Sequence, residues 1–336
     1  MFPAFYTAKR ISSWESNLTD HSNSGIASPD PVLLEIHRRF SIALTWTHMA
    51  TNMLSPQQNY ATPDTGIKDA IATASLAIWL KFPRAIRFQT YNLLKTAGLY
   101  LYGRSHSRSV QRLPFGMYLK HGSIGESDRH AREFEALHLV RSRVSIPVPR
   151  PIDLISSSTH SFLVTSRIEG DPVGIDIPTY TDEALNGLAE KLKTWISELR
   201  TIGRPAGFAD ISSASGGPIQ DYRIPSSLAG PFEREKDFSE CLRLGALPNL
   251  VHRHDHEIVF THADLHMRNI LAKDGVLTGI VDWENAGWYP DYWEYTKCHF
   301  SVRHAKKWMK VIDTAFDHKY QEELEIERQY WLYHSL

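Results

Sequence analysis

The stretch Val259-Phe-Thr-His-Ala-Asp-Leu-His-Met-Arg-Asn-Ile-Leu-Ala-Lys-Asp-Gly-Val-Leu-Thr-Gly-Ile-Val-Asp-Trp-Glu284 limits the fold more than any other part of the chain. Its apolar run predicts a strand ending at Thr261. His262, Asp264 and Asn269 fall on the loop that follows, and Asp274-Gly275 is a two-residue hairpin signal. The return strand, Val276 to Val281, brings Asp282 back toward the loop. Strand, loop and hairpin therefore gather two carboxylates, an amide and an imidazole at one end of a small sheet.

That set suits phosphoryl transfer, which needs a carboxylate near the attacking hydroxyl and oxygen ligands that hold magnesium against a polyphosphate. Asp264 can take the first role. Asn269 and Asp282 can take the second, because magnesium prefers a few protein oxygens completed by water and phosphate. His262 is expected to order the loop by hydrogen bonding.

The pattern His-x-Asp-x-x-x-x-Asn with its later Asp resembles the catalytic and metal-binding segments of the protein-kinase-like superfamily. Within it, His-Ala-Asp-Leu-His-x-x-Asn and Val-Asp-Trp-Glu are similar to the aminoglycoside phosphotransferase and choline kinase branch. Protein kinases carry Phe-Gly where this chain has Trp283-Glu284. Arg112-Leu-Pro-Phe-Gly-Met-Tyr-Leu-Lys120 and Trp288-Tyr-Pro-Asp-Tyr-Trp-Glu-Tyr295 are similar to fungal members, and the likeness runs from about residue 103 to 300.

The resemblance implies an α+β, two-lobed protein-kinase-like fold, with a small mixed α/β N-lobe and a mostly helical C-lobe. ATP and Mg2+ are the implied cofactors, and a small-molecule hydroxyl is the implied acceptor. Asp264, His262 and Asn269 would be catalytic, with Asn269 and Asp282 on the metal. Lys120 would contact the nucleotide phosphates and pair with Glu133, Glu135 being the competing partner. Thr165, Ser166, Arg167 and Ile168 would form the hinge whose backbone holds adenine. Gly103 and Gly116 precede Lys120 without a GxGxxG pattern, so no phosphate-covering glycine loop is identified.

The rest of the chain organises around this segment. Residues 1–95 are expected to be a helical extension with a loosely packed stretch over 12–32 and an amphipathic helix from Leu33 to Leu44. Ala70 to Leu80 predicts a buried helix, too short for the roughly 20 residues of a bilayer span. Residues 96–170 predict strand, strand, helix, strand and strand. The helix carries Phe134, Leu137, His138 and Val140 on one stripe.

Residues 171–336 form the second lobe. Thr181-Asp182-Glu183 opens a helix with Leu185, Leu188, Leu192, Trp195, Ile196 and Leu199 inward. Residues 210–232 predict a loop at the substrate rim, with Asp221, Tyr222, Arg223, Trp288, Tyr289 and Trp293 as rim candidates. Asp291 and Glu294 have capping-box spacing.

Lys and Arg total 37 against 38 Asp and Glu, which supplies no field to collect nucleic acid or an anionic membrane. Neither a nucleic-acid, a membrane nor a protein partner is expected. The N-terminus lacks the apolar core of a secretory signal, and the two cysteines, Cys241 and Cys298, have no metal or redox spacing. Both point to the cytoplasm. Three alternatives remain open: an inactive nucleotide-binding relative, motivated by the absent glycine pattern; a protein kinase; and a zinc hydrolase built on His252, His254, His256, His262 and His266 with Asp255 and Asp264.

Overall fold

The computed structural model describes residues 74–333, apart from 106, 225–227, 244–246, 248, 250 and 303–304. The expectations placed on residues 1–73 lie outside the described residues. Residues 74–80 are helical, but Ile78 and Leu80 are 53% and 41% exposed, so this is not the buried helix expected. It is amphipathic instead: Leu76 and Trp79 alone pack on the neighbouring core.

The first lobe is a four-stranded antiparallel sheet between two helices. Its order is β1 (Val110–Leu113), β2 (Met117–Ser123), β4 (His160–Ser166) and β3 (Pro151–Ser156). Side chains alternate across a strand. Leu119, Phe162 and Val164 therefore face α1 (Arg84–Tyr102), which adds Tyr91 and Leu94 to one core. The next residue of β2, Lys120, faces α2 (Ser127–Arg143) on the opposite side. Coverage of both faces explains why β4 is buried from Ser161 to Thr165.

α1 runs across the expected boundary at residue 95 and belongs with the sheet. A Cβ at Gly98 would stand 2.1 Å from the Arg112 carbonyl oxygen, so glycine lets the helix lie on the β1 backbone. Arg87 reaches both oxygens of Asp153 on β3 at 2.5 Å, Tyr91 donates its hydroxyl to Asp153 at 3.0 Å, and Trp79 donates to that hydroxyl at 2.6 Å. On α2 the buried stripe is His130, Glu133, Leu137 and Val140, with Ala136. Phe134 and His138, expected inward, make an edge contact with each other instead, and His138 is exposed. Turning Glu133 toward Lys120 sets the helix in that rotation.

The second lobe is mostly helical: α3 (Val173–Asp176), α4 (Asp182–Leu199), α5 (Glu235–Arg243), α6 (Trp293–Ser301), α7 (Lys306–Ala315) and α8 (Gln321–Tyr333). The Thr181 hydroxyl caps α4 by accepting the Ala184 N–H at 3.3 Å, and all six apolar positions read from the sequence are buried. They join Phe260, Trp283, Trp288 and Trp308 in the main core. Residues 210–232 are not wholly loop. They contain β6 (Ser212–Ser213), β7 (Ile219–Gln220) and β8 (Leu228–Ala229).

Two three-stranded sheets hold the segment from Val259 to Glu284. One has the order β11 (Val276–Ile280), β10 (Ile270–Lys273), β5 (Asp171–Pro172). The other has β6, β12 (Gly287–Pro290), β9 (Ile258–Thr261). Asp274 and Gly275 turn β10 into β11 with φ of 52° and 76°, the left-handed pair of a tight hairpin. No helix among the described residues is long and apolar enough to cross a membrane.

Candidate active site

The loop between β9 and β10 is fixed from several sides. His262 donates Nε2–H to the Val281 carbonyl at 3.0 Å and accepts the Asp264 N–H on Nδ1 at 3.2 Å. Its ring also packs edge-on against Trp283, 4.6 Å between centroids. Asn269 turns its amide nitrogen to Asp264, donating to the backbone oxygen and to Oδ2, both at 2.9 Å. The Val281 N–H bonds the Asn269 carbonyl at 2.9 Å, which ties the loop to the residue preceding Asp282. The Met267 carbonyl accepts the Gly174 N–H at 3.1 Å. Ala263 and Asp282 both take positive φ, 59° and 71°, a backbone form uncommon for side chains of this kind and frequent at sites where geometry is imposed.

Glu294 supplies a support that sequence spacing concealed. Its carboxylate, 2% exposed, accepts the N–H of Ala263 at 2.9 Å and of Leu265 at 3.2 Å, bracketing Asp264. The capping-box expectation is therefore corrected: α6 has Tyr292 at its N-cap with no side-chain cap, and Glu294 faces the loop instead. Burial pushes Glu294 above the ordinary carboxylate range, against the pull of His262 and the two N–H donors. Cys298, one turn on, reaches the Leu265 carbonyl with its thiol at 3.4 Å.

Lys120 gathers the second group of residues. Its ammonium is 2.5 Å from Glu133, bonds Asp282, and lies 3.9 Å from Glu284. Glu135 is exposed, whereas Glu133 is 2% exposed, so Glu133 is the partner within reach. One oxygen from each of Glu133, Asp282 and Glu284 falls within 4.8 Å of the others. Burial opposes the Lys120 charge, but Asp282, Glu133 and Glu284 together raise its pKa above the ordinary lysine value. Burial likewise acts to raise Asp282, and Lys120 outweighs it to hold the carboxyl below its usual range.

Arg129 on α2 bonds Glu284 at 2.6 Å, and Arg132 bonds Gln220, so α2 is tied to the second lobe at two points. The donor set suits a hard divalent cation: Asn269 spends its nitrogen on Asp264 and keeps its amide oxygen, and Asp282 offers carboxylate oxygens.

At the expected hinge, Thr165 and Ser166 close β4, and Arg167 and Ile168 follow. The Ser166 N–H is donated to the Arg150 carbonyl at 2.9 Å and the Arg167 N–H to Gly116 at 2.8 Å. The turn ahead of the Lys120 strand is short: Pro114, Phe115 and Gly116 make a three-residue reversal, the last two with φ of 66° and 65°.

The remaining candidates separate. Trp288, Tyr289 and Trp293 are at most 1% exposed and belong to the cores, not the rim. Asp221 and Arg223 are buried in a charge cluster with Lys297 and Glu327, and Tyr222 alone is open, at 48%. The histidines do not converge. His256 lies between Glu235 at 2.5 Å and Glu323 at 3.1 Å, and His252 stacks on Tyr292 with centroids 4.7 Å apart. His266 accepts the Arg268 N–H at 3.0 Å. Among the described residues, the one group of three potential metal-binding side chains is the carboxylate set around Lys120.

Comparison with known proteins adds a family. The sequence profile of APH, the phosphotransferase enzyme family, matches residues 108–334. No curated protein matches the sequence. Among solved structures, aminoglycoside phosphotransferase APH(3″)-Id from Streptomyces rimosus with ADP and streptomycin is 16% identical, covering 72% of this chain and 95% of that one at a TM-score of 0.48. The streptomycin–ATP–APH(2″)-IIa complex is 14% identical, with coverage of 68% and 81% and a TM-score of 0.48. Macrolide 2′-phosphotransferase MphH from Brachybacterium faecium is 18% identical, with coverage of 68% and 82% and a TM-score of 0.43.

Proposed function

The chain belongs to the phosphotransferase enzyme family and is a small-molecule kinase, and on that premise we propose that it moves the γ-phosphoryl group of ATP to a hydroxyl with Asp264 as base. The hydroxyl proton passes to Asp264 as its oxygen bonds the γ-phosphorus and the bond to the ADP oxygen breaks. The observation that carries this reading is the Asn269 amide, whose nitrogen serves Asp264 while its peptide carbonyl accepts the Val281 N–H beside Asp282. Asp264 is thereby tied to Asn269, and Asn269 to the residue preceding Asp282.

Asn269 and Asp282 would hold magnesium, which when bound neutralises charge on the β- and γ-phosphates. Lys120, oriented by Glu133, would bind phosphate oxygens, and its present bond to Asp282 would give way as the nucleotide enters. Adenine would lie against residues 165–168. The Ser166 and Arg167 N–H groups are already donated inward, which leaves the Ile168 N–H as the donor this stretch would offer. The nucleotide would sit between a lobe reaching to residue 170, with α1 as part of it, and the lobe that follows.

The test is phosphoryl transfer by Asp264→Ala. It should lose turnover while keeping much of its ATP affinity, since the base goes and no metal ligand does. Unchanged turnover would remove Asp264 from this role.

A further inference from the structure

Arg268 stands apart from the other cations near Asp264. Its Nη2 is 3.1 Å from Asp264 Oδ2, and its side chain is 56% exposed while that of Asp264 is 5% exposed. A buried carboxylate is thus met by a guanidinium that reaches solvent. Oδ2 already accepts from Asn269, whereas Oδ1 is buried and has no hydrogen-bond partner among the described residues. The arginine thus touches the same carboxylate whose other oxygen, Oδ1, is left for an acceptor hydroxyl.

The other cation beside the loop is buried and already paired. Lys297 is buried with its ammonium 2.8 Å from Asp221 Oδ2 and 3.4 Å from the centre of the Tyr222 ring. It sits on the helix that holds the loop, next to Cys298, and the charge of Asp264 acts on both Lys297 and Tyr222. Apart from Asp264 itself, the neighbouring carboxylates among the described residues are taken internally. Asp221 binds Arg223 and Lys297; Glu327 binds Arg223 at 2.6 Å and Thr296 at 2.8 Å; Glu294 binds the loop N–H groups. An ammonium group arriving here finds no free carboxylate among these and meets the exposed Arg268 instead. An oxyanion finds a guanidinium with most of its five donors unspent.

We propose that Arg268 selects an anionic acceptor, a hydroxyl compound bearing a carboxylate or phosphate close to the hydroxyl that is phosphorylated. The fork of Arg268 binds that anion and sets the neighbouring hydroxyl toward Asp264. This rests on Asp264 being the base of a phosphotransferase. It differs from recognition of a polycationic acceptor, which needs unpaired carboxylates at the mouth of the site.

The experiment measures ADP formation on matched series of opposite charge: glucuronate and glucose 6-phosphate, glucose, and glucosamine; glycerate and glycerol 3-phosphate, glycerol, and 3-aminopropane-1,2-diol. Thermal unfolding with ATP and magnesium is run alongside. The expected result is turnover of at least one anionic member, with kcat/KM about tenfold or more above its neutral analogue. Arg268→Gln should then lower kcat/KM for that anion by about 10- to 100-fold, as for a hydrogen bond to a charged group, and bring the two analogues together. The carboxylate and phosphate arms tell the two anions apart.

Neutral or cationic members turned over as well as the anions would overturn the proposal. So would an unchanged ratio in Arg268→Gln, or no anionic turnover from a protein that ATP and magnesium stabilise. Failure of ATP and magnesium to stabilise the wild type would instead sink the phosphotransfer reading beneath it.

Discussion

The Glu294 carboxylate accepts the Ala263 N–H at 2.9 Å, joining the first turn of α6 to the residue before the proposed base. Its other oxygen holds Leu265, so Asp264 is fixed from both sides by one buried side chain. Glu294→Ala would leave two buried donors unsatisfied, at about 1–3 kcal/mol each. Glu294→Gln keeps one acceptor and turns an NH2 toward the other donor. The expected outcome is a milder loss of stability with kcat down about tenfold to hundredfold and ATP affinity largely kept, because the base is displaced and the nucleotide side is not. Equal losses in kcat and ATP affinity would contradict a role confined to the loop.

Asp282 bonds Lys120 in the free protein and is the residue through which magnesium dependence should appear. ATP bound only by the folded state stabilises it by about 2.7 kcal/mol at a concentration 100 times Kd. Thermal unfolding of the wild type should therefore show a rise with ATP and magnesium together that exceeds the rise with ATP alone. Asp282→Ala should lose the magnesium-dependent part. An identical rise in the variant would remove Asp282 from the metal.

These contrasts show which features sequence could carry. The hairpin at Asp274-Gly275 and the apolar face of α4 were legible because their signals are local: turn chemistry in two residues, and helical spacing over five turns. Asp264, Asn269 and Asp282 lie on one loop and one hairpin, so their spacing alone brings them close. Glu294 was misread because Asp-x-x-Glu at a helix start looks alike whether the glutamate turns to its own helix or to a loop 31 residues away. Trp288 and Tyr289 passed for rim residues because aromatic density does not reveal that β12 lies between β6 and β9, and Trp293 because it does not reveal packing on Phe238 and Tyr289. Arg87 and Asp153 gave no signal, since a charge buried by a partner 66 positions along looks like any solvated arginine.

That last pair carries a stability prediction. Arg87 and Asp153 side chains are 11% and 3% exposed, and Asp153 also takes the Tyr91 hydroxyl. Removing one charge strands the other, which for a buried pair is destabilising by about 3–5 kcal/mol. Asp153→Ala is expected to unfold at clearly lower denaturant concentration than wild type. The double variant Arg87→Met with Asp153→Leu should recover much of the loss, because neither charge is then left alone. A double variant as unstable as Asp153→Ala would show that packing of α1 on the sheet, not charge pairing, is what the substitution disturbs.

His256 gives the molecule a pH dependence of definite sign. Burial works to lower its pKa, but hydrogen bonds to Glu235 and Glu323 outweigh that and bring it up to about 9. The folded value exceeds the unfolded one of about 6.5, so the folded state binds a proton that the unfolded state releases over this interval. The contribution is therefore fully present below about pH 6.5 and is lost as pH rises through about 9. Its loss loosens a clamp between α5, which carries Glu235, and α8, which carries Glu323. Melting temperatures of wild type and His256→Gln, measured across that range, should converge as pH rises, with the wild type falling more steeply. Parallel curves would mean that His256 does not carry a proton between the two carboxylates.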